Sequence, residues 1–222
     1  MTIISLDFSI LYPGVCLCKD FKDWTWVGII NANQTQKESK NVEDLLLKYP
    51  KIKILKTSSR REKDSQYHLT ERSKLINYLE STDLLVEEIK KNVDLTDDLL
   101  VSIEGISFGS KGNALVDISQ ATGIIKTKIV EQVLNGDCHR FFVFSPGELK
   151  NAIGCKGNSK KKEVYDKFIT DPIISSVKSS DLYLALKSED WIANREAIKS
   201  PFMDMIDSFL GVVKIYQIIN QK

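Results

Sequence analysis

Four carboxylates stand where a carboxylate is costly to bury. Asp7 lies in an apolar run between Leu6 and Phe8, and Glu104 closes the run Leu100–Ile103. Asp204 and Asp207 are three residues apart at the head of the apolar stretch Asp204–Leu210. An acid in such a place needs a cation or a partner, and the three-residue spacing puts Asp204 and Asp207 on one helical face. Brought together, the four would form the oxygen-rich cage that Mg²⁺ or Mn²⁺ prefers. A plainer alternative stands beside it: Asp204 as a helix N-cap, Asp207 favouring the positive end of the helix dipole, and Glu104 at a strand edge. Cysteine offers no rival metal chemistry. The four cysteines contain no CxxC pair and the chain has two histidines, so Cys16 and Cys18 make a poor zinc half-site. Two apart on a strand, they would pack on one side of a sheet.

The elements that must position these acids can be read from apolar runs and breakers. Ile3–Ser9, Val15–Lys19 and Trp24–Ile30 read as three strands with short connections, the first closed by Tyr12-Pro13-Gly14, and suggest an antiparallel meander. Residues 31–66 are polar and irregular, with Lys51–Lys56 as a short strand or loop edge, and are expected to be an insertion or flexible arm. Thr70 onward carries Leu75, Ile76, Leu79, Leu84, Leu85 and Ile89 at helical spacing. Leu99–Glu104 reads as a central strand. Asn113–Val133 reads as a long helix ended by Asn135-Gly136, and Phe141–Phe144 as a buried strand. Helices follow near Gly147–Ile153, Lys160–Thr170 and Met203–Ile219, with no clear pattern from Asp171 to Pro201. The expectation is one α/β domain over residues 1–222, its mixed five-stranded sheet flanked by helices, with a basic insertion at about 31–70.

Composition narrows the class. Apolar residues make up 42% of the 222, enough for a sizeable core. No apolar run approaches the roughly 20 residues that cross a bilayer, and no export signal is visible at the N-terminus, so a location inside the cell, away from membranes, is expected. The net charge of +1 conceals segregation: Lys48–Lys63 holds seven positive residues and one negative, Asp83–Asp98 six acids and two lysines. The basic segment reads as a DNA-contacting arm through Lys53, Lys56, Arg60 and Arg61, or as a solvated loop. The abundance of Lys, Asn and Ile hints at an AT-rich genome such as that of a phage or large DNA virus.

Several motifs in order resemble the RuvC family of Holliday-junction resolvases. Glu104-Gly-Ile-Ser-Phe108 followed by Gln120-Ala121-Thr122-Gly123 is similar to that family's strand-ending Glu and the helix after it, with Thr122 at the usual Arg. Pro146 to Gly154, with Lys150 between, looks like its Pro-x-x-x-Lys-x-x-x-Gly segment. Asp204-Met-Ile-Asp207-Ser208 is similar to its terminal Asp-x-x-Asp-Ala, and Asp7 matches its first-strand Asp. The resemblance covers roughly residues 1–30 and 97–220.

What it implies is an RNase H-like fold and metal-dependent phosphodiester hydrolysis on four-way DNA junctions. Asp7, Glu104, Asp204 and Asp207 would hold two Mg²⁺ ions, with Mn²⁺ as a substitute, to activate a water and stabilise the leaving oxygen. A lysine at the start of the basic helix would face the scissile phosphate. Lys161 is favoured among Lys160, Lys161 and Lys162, because Val164 and Phe168 then share its helical face. Lys150, Lys156, Lys160 and Lys162 are further DNA-contact candidates. The family's base-stacking aromatic falls at Ser107 here, with Phe108 one residue on. Symmetric cutting implies a homodimer. The alternatives are an RNase H-like nuclease for flaps or other branched DNA, and a non-catalytic nucleic-acid-binding module.

Overall fold

A computed structural model describes residues 1–30, 36–58, 65–106, 112–189, 192 and 198–220. The strands and helices are β1 (Thr2–Asp7), β2 (Gly14–Lys19), β3 (Asp23–Ile30), α1 (Gln36–Lys48), β4 (Ile52–Lys56), α2 (Tyr67–Asn92), β5 (Leu99–Glu104), α3 (Asn113–Gln132), β6 (Phe141–Phe144), α4 (Pro146–Ala152), α5 (Lys161–Thr170), α6 (Asp181–Ser188) and α7 (Phe202–Asn220). The strands form one mixed sheet of order β4-β3-β2-β1-β5-β6. β2 is antiparallel to both its neighbours and every other pair is parallel, so five of the six strands end at the same edge. That edge is where open α/β sheets place their ligands.

Side-chain alternation along the strands sorts two cores onto two faces. Ile4, Leu6, Val15, Leu17, Val27 and Ile29 face α2 and α3. Ile3, Cys16, Cys18, Trp24 and Trp26 face α7 and the C-terminal helices, with Phe168 and Phe209 packed edge-on. Cys16 and Cys18 are buried free thiols on one face, as their spacing suggests. Asp7 and Glu104 follow the α7-facing Ser5 and Ser102 by two residues, which turns both acids toward α7.

Three expectations are corrected. The sheet has six strands, not five: Ile52–Lys56 extends it as an edge strand parallel to β3. The segment from 36 to 58 is not a flexible arm, because α1, β4 and the turn between them bury Val42, Leu45, Tyr49 and Ile52. Its Lys48 pairs with Glu189 at 2.7 Å and its Lys51 with Asp23 at 3.1 Å, so part of the basic run is used within the fold. Phe141–Phe144 is an edge strand with Phe144 alone buried; Val143 is half exposed. Two short elements, a 3₁₀ turn at Ser175–Ser179 and α6, occupy the stretch that had no clear pattern. Among the described residues no helix is long and apolar enough to cross a membrane.

The helix that carries two of the acids is seated by small residues. Ser102 Oγ donates to Ser5 Oγ across 2.9 Å inside the sheet, and Gly211 of α7 lies directly over the pair. A Cβ on Gly211 would overlap both hydroxyl oxygens. Gly211→Ala is expected to lift α7 from the sheet and cost about 1–3 kcal/mol, as overpacking does, lowering Tm by about 3–10 °C in a domain of this size. Calorimetry on the variant checks this, and an unchanged Tm contradicts the seating.

Candidate active site

Asp7 ends β1 and Glu104 ends the adjacent parallel β5, so the register brings the two carboxylates side by side at the common edge. α7 crosses the sheet there and contributes Asp204 and Asp207 from its first two turns. Asp204 lies inside the helix, two residues past its start at Phe202, so it is not the N-cap. The approach depends on a row of small residues across the sheet. Asp7 pairs with Gly14, and Gly14 with Gly28. A Cβ on Gly14 would overlap the Asp204 carbonyl, and one on Gly28 would come within 2.7 Å of Met205 and Pro201. A glycine inside a strand often marks such a close backbone approach.

The fifth member comes from α5. Lys161 is its first residue, with Val164 and Phe168 buried below, and its Nζ lies 3.5 Å from Asp207 Oδ2 and 3.7 Å from Asp204 Oδ1. Lys160 is exposed and Lys162 pairs with Asp166 at 2.6 Å. Of the three candidates, Lys161 is the lysine that meets the acids. The loop before it is pinned from α4, whose capping box joins Ser145 and Glu148. Lys150 Nζ donates to the Ser159 carbonyl at 2.8 Å, and Ser159 Oγ donates to Glu163 at 2.7 Å. Lys150 also lines the cavity, so it serves at once as a loop anchor and a cavity wall. Lys156 is exposed at the turn.

All four acids and Lys161 open into one cavity of about 340 Å³. A second chamber of about 490 Å³ adjoins it, walled by Phe8, Ile10, Leu11, Tyr12, Ile118 and Thr122. Tyr12 is not among the site residues that the sequence singles out and Thr122 enters only within the motif Gln120–Gly123; the tertiary path of β1, its turn and α3 brings both here. Arg60, Arg61 and Phe108 lie outside the described residues. Lys53 and Lys56 are on β4, away from the cavity; Lys56 lies at the common edge, three strands from β1, on the order of 14 Å at normal strand spacing.

Burial raises every carboxyl in the cluster. Burial pushes Glu104 up to about 7, with the Asp207 charge adding and Lys150 and Lys161 opposing. Burial pushes Asp207 up to about 6, Lys161 opposing and Asp204 adding. Asp7 is raised well above the usual carboxylate range by burial and then by the charges of Asp207, Glu104 and Asp204. Burial raises Asp204 also, against a hydrogen bond from Ser200 and the Lys161 charge. Lys161 is raised because the attraction of Asp207, Asp204 and Asp7 outweighs its desolvation.

A carboxyl raised on folding binds its proton more tightly in the folded chain than in the unfolded one. Its stabilising contribution is present at low pH and is lost as pH climbs through the folded value. Glu104 moves from 4.5 to about 7 and Asp207 from 3.8 to about 6. The metal-free chain should therefore lose thermal stability as pH is raised from about 5 to about 7.5. Melting curves in chelator across that window test this; a rising midpoint contradicts it.

Among the described residues, no three His, Cys, Asp or Glu side chains stand close enough to hold a metal ion in their present conformations. The Lys161 ammonium takes the counter-ion's place between Asp204 and Asp207. The donor set still fits a hard divalent cation: four carboxylates on one cavity, and a buried Asp204 Oδ2 without a hydrogen-bond partner.

Scans against protein-family models and against curated proteins find no match. Among solved structures, the chain is similar to RuvC of Thermus thermophilus, with TM-score 0.50 and 10% identity, over 100% of this chain and 96% of that one. T. thermophilus RuvC in complex with a Holliday junction substrate gives TM-score 0.49 and 10% identity over 98% and 96%. The likeness is one of fold: a mixed α/β, RuvC-like RNase H architecture around a six-stranded sheet.

Proposed function

We propose that the protein is a divalent-metal-dependent endonuclease that resolves four-way DNA junctions. One observation carries the reading: Asp7 and Glu104 end adjacent parallel strands on the face where α7 delivers Asp204 and Asp207, and Lys161 enters the same cavity. The order and type of these residues resemble the resolvase motifs, and a binding protein has no use for four crowded acids facing phosphate.

In this reading Asp7, Glu104, Asp204 and Asp207 hold Mg²⁺ or Mn²⁺. The bound cations supply an activated water and neutralise charge on the leaving oxygen. Lys161, with its ammonium on the cavity wall, steadies the charge that develops on the scissile phosphate. Lys150 keeps the Lys156–Lys160 loop in place beneath it. Lys156, Lys160 and Lys162 are exposed around the mouth and attract backbone phosphates, as does Lys56 further along the same edge. The chamber beside Tyr12 offers an apolar wall to a sugar or base next to the cut. Symmetric cuts require two such sites, so the acting form is a homodimer. Exposed Leu75, Ile76, Leu79, Leu115 and Val116 on α2 and α3 offer it an apolar surface.

The substrate test is cleavage in Mg²⁺ of four-way, flap and linear duplex DNA side by side. Paired symmetric cuts in the four-way junction are expected, with the linear duplex spared. Preferential cutting of flaps would move the protein to the branched-DNA alternative. Binding without cleavage of any substrate would make it a non-catalytic module.

A further inference from the structure

We infer that Lys161 is a place-holder for the cation: in the metal-free protein its ammonium bridges Asp204 and Asp207, and it must leave them for a divalent ion to enter. The inference rests on the proposed metal site and adds a competition between one side chain and the ion. Its basis is geometric. Lys161 Nζ stands between the two carboxylates at 3.5 and 3.7 Å, both distances at the long end for ion pairs, as expected of one charge shared by two acids. Its side chain is 65% exposed while those of Asp204 and Asp207 are 6% and 14% exposed, so the lysine can swing out and the acids cannot. The carboxylates keep unused capacity, since Asp204 Oδ2 is buried with no hydrogen bond. Among the described residues, the neighbouring Lys150 is held by the Ser159 carbonyl and Lys162 by Asp166, so neither takes this place.

Two consequences follow from the competition. The metal-free site keeps one positive charge between two of its four acids, which lessens their mutual repulsion. Metal binding also frees an ammonium at the mouth of the cavity for a phosphate, which couples metal and DNA affinity reciprocally.

The test measures Mn²⁺ binding by calorimetry on the full chain without DNA, so it does not depend on cleavage. Lys161→Gln should tighten Mn²⁺ binding by about three- to ten-fold, the scale of two partly exposed ion pairs. Lys161→Arg, which keeps the bridge, should stay within about two-fold of wild type. Lys162→Gln removes the same charge one residue away without touching the acids and should also stay within about two-fold. Unchanged or weaker Mn²⁺ binding in Lys161→Gln, or equal tightening in Lys162→Gln, overturns the place-holder while leaving the nuclease reading intact. Tighter Mn²⁺ binding in a protein that cuts no DNA supports the place-holder and removes the nuclease. Absence of Mn²⁺ binding in wild type and in Lys161→Gln alike overturns both.

Discussion

Asp207→Asn is expected to leave junction binding intact while slowing single-turnover cleavage in Mg²⁺ by about 10³-fold or more. The change conserves size and one oxygen, and α7 is held by its apolar neighbours, so the fold should survive. In the proposed reading, what is lost is a negative charge with which the cluster would hold a divalent cation, and losing about 4 kcal/mol of transition-state stabilisation corresponds to about 10³ in rate. Asp207 is central because its charge bears on Asp7 and on Glu104 and pairs with Lys161. Binding should hold or tighten, since a charge that repels phosphate has been removed. Asp7→Asn should behave alike. Single-turnover cleavage and gel-shift measurements in parallel check both variants; near wild-type rates in the two would remove the metal centre from the account.

Gly14→Ala should reduce cleavage by about 10²-fold, although Gly14 bears no reactive group. Its Cβ would strike the carbonyl of Asp204 and the Met205 nitrogen, which are backbone atoms of the first turn of α7 and cannot swing aside. The turn must shift, carrying Asp204 away from Asp7, and a misplacement near 1 Å can cost on the order of 10² in rate. Gly211→Ala supplies the comparison, because it strains the same helix more than one turn beyond Asp207 against Ser5 and Ser102. If Gly14 acts by placing Asp204, its variant loses more activity per degree of Tm than the Gly211 variant. Equal losses per degree would reduce Gly14 to a packing residue.

The parts of the fold that could be read from the residues are those whose local chemistry matches their tertiary role. β1 and β5 are nearly continuous apolar runs because helices cover both faces, and a carboxylate at the end of each stands out against such neighbours. Lys161 could be selected over Lys160 and Lys162 since Val164 and Phe168 define the buried face of α5. α1 escaped, and β4 could be read only as a short strand or loop edge, for the converse reason. α1 is largely polar and enters the core through Val42 and Leu45, while β4, Ile-Lys-Ile-Leu-Lys, is a short mixed run of which only Ile52 is fully buried. Short segments of that kind become ordered by docking against β3 and α6, through the Tyr49–Ser188 and Lys48–Glu189 contacts, and no local period announces them. The glycines at 14, 28 and 211 are visible in the sequence, but the element that approaches each is not. Tyr12 reaches the second chamber by a tertiary path that its spacing does not encode.

The central claim is that the four acids form one divalent-cation centre, and anomalous diffraction from crystals soaked in Mn²⁺ tests it most directly. The account predicts Mn²⁺ density in the cavity bounded by Asp7, Glu104, Asp204 and Asp207, with the Lys161 ammonium withdrawn from between the aspartates. Mn²⁺ density confined to other parts of the molecule, with Lys161 still bridging Asp204 and Asp207 at saturating metal, would contradict it.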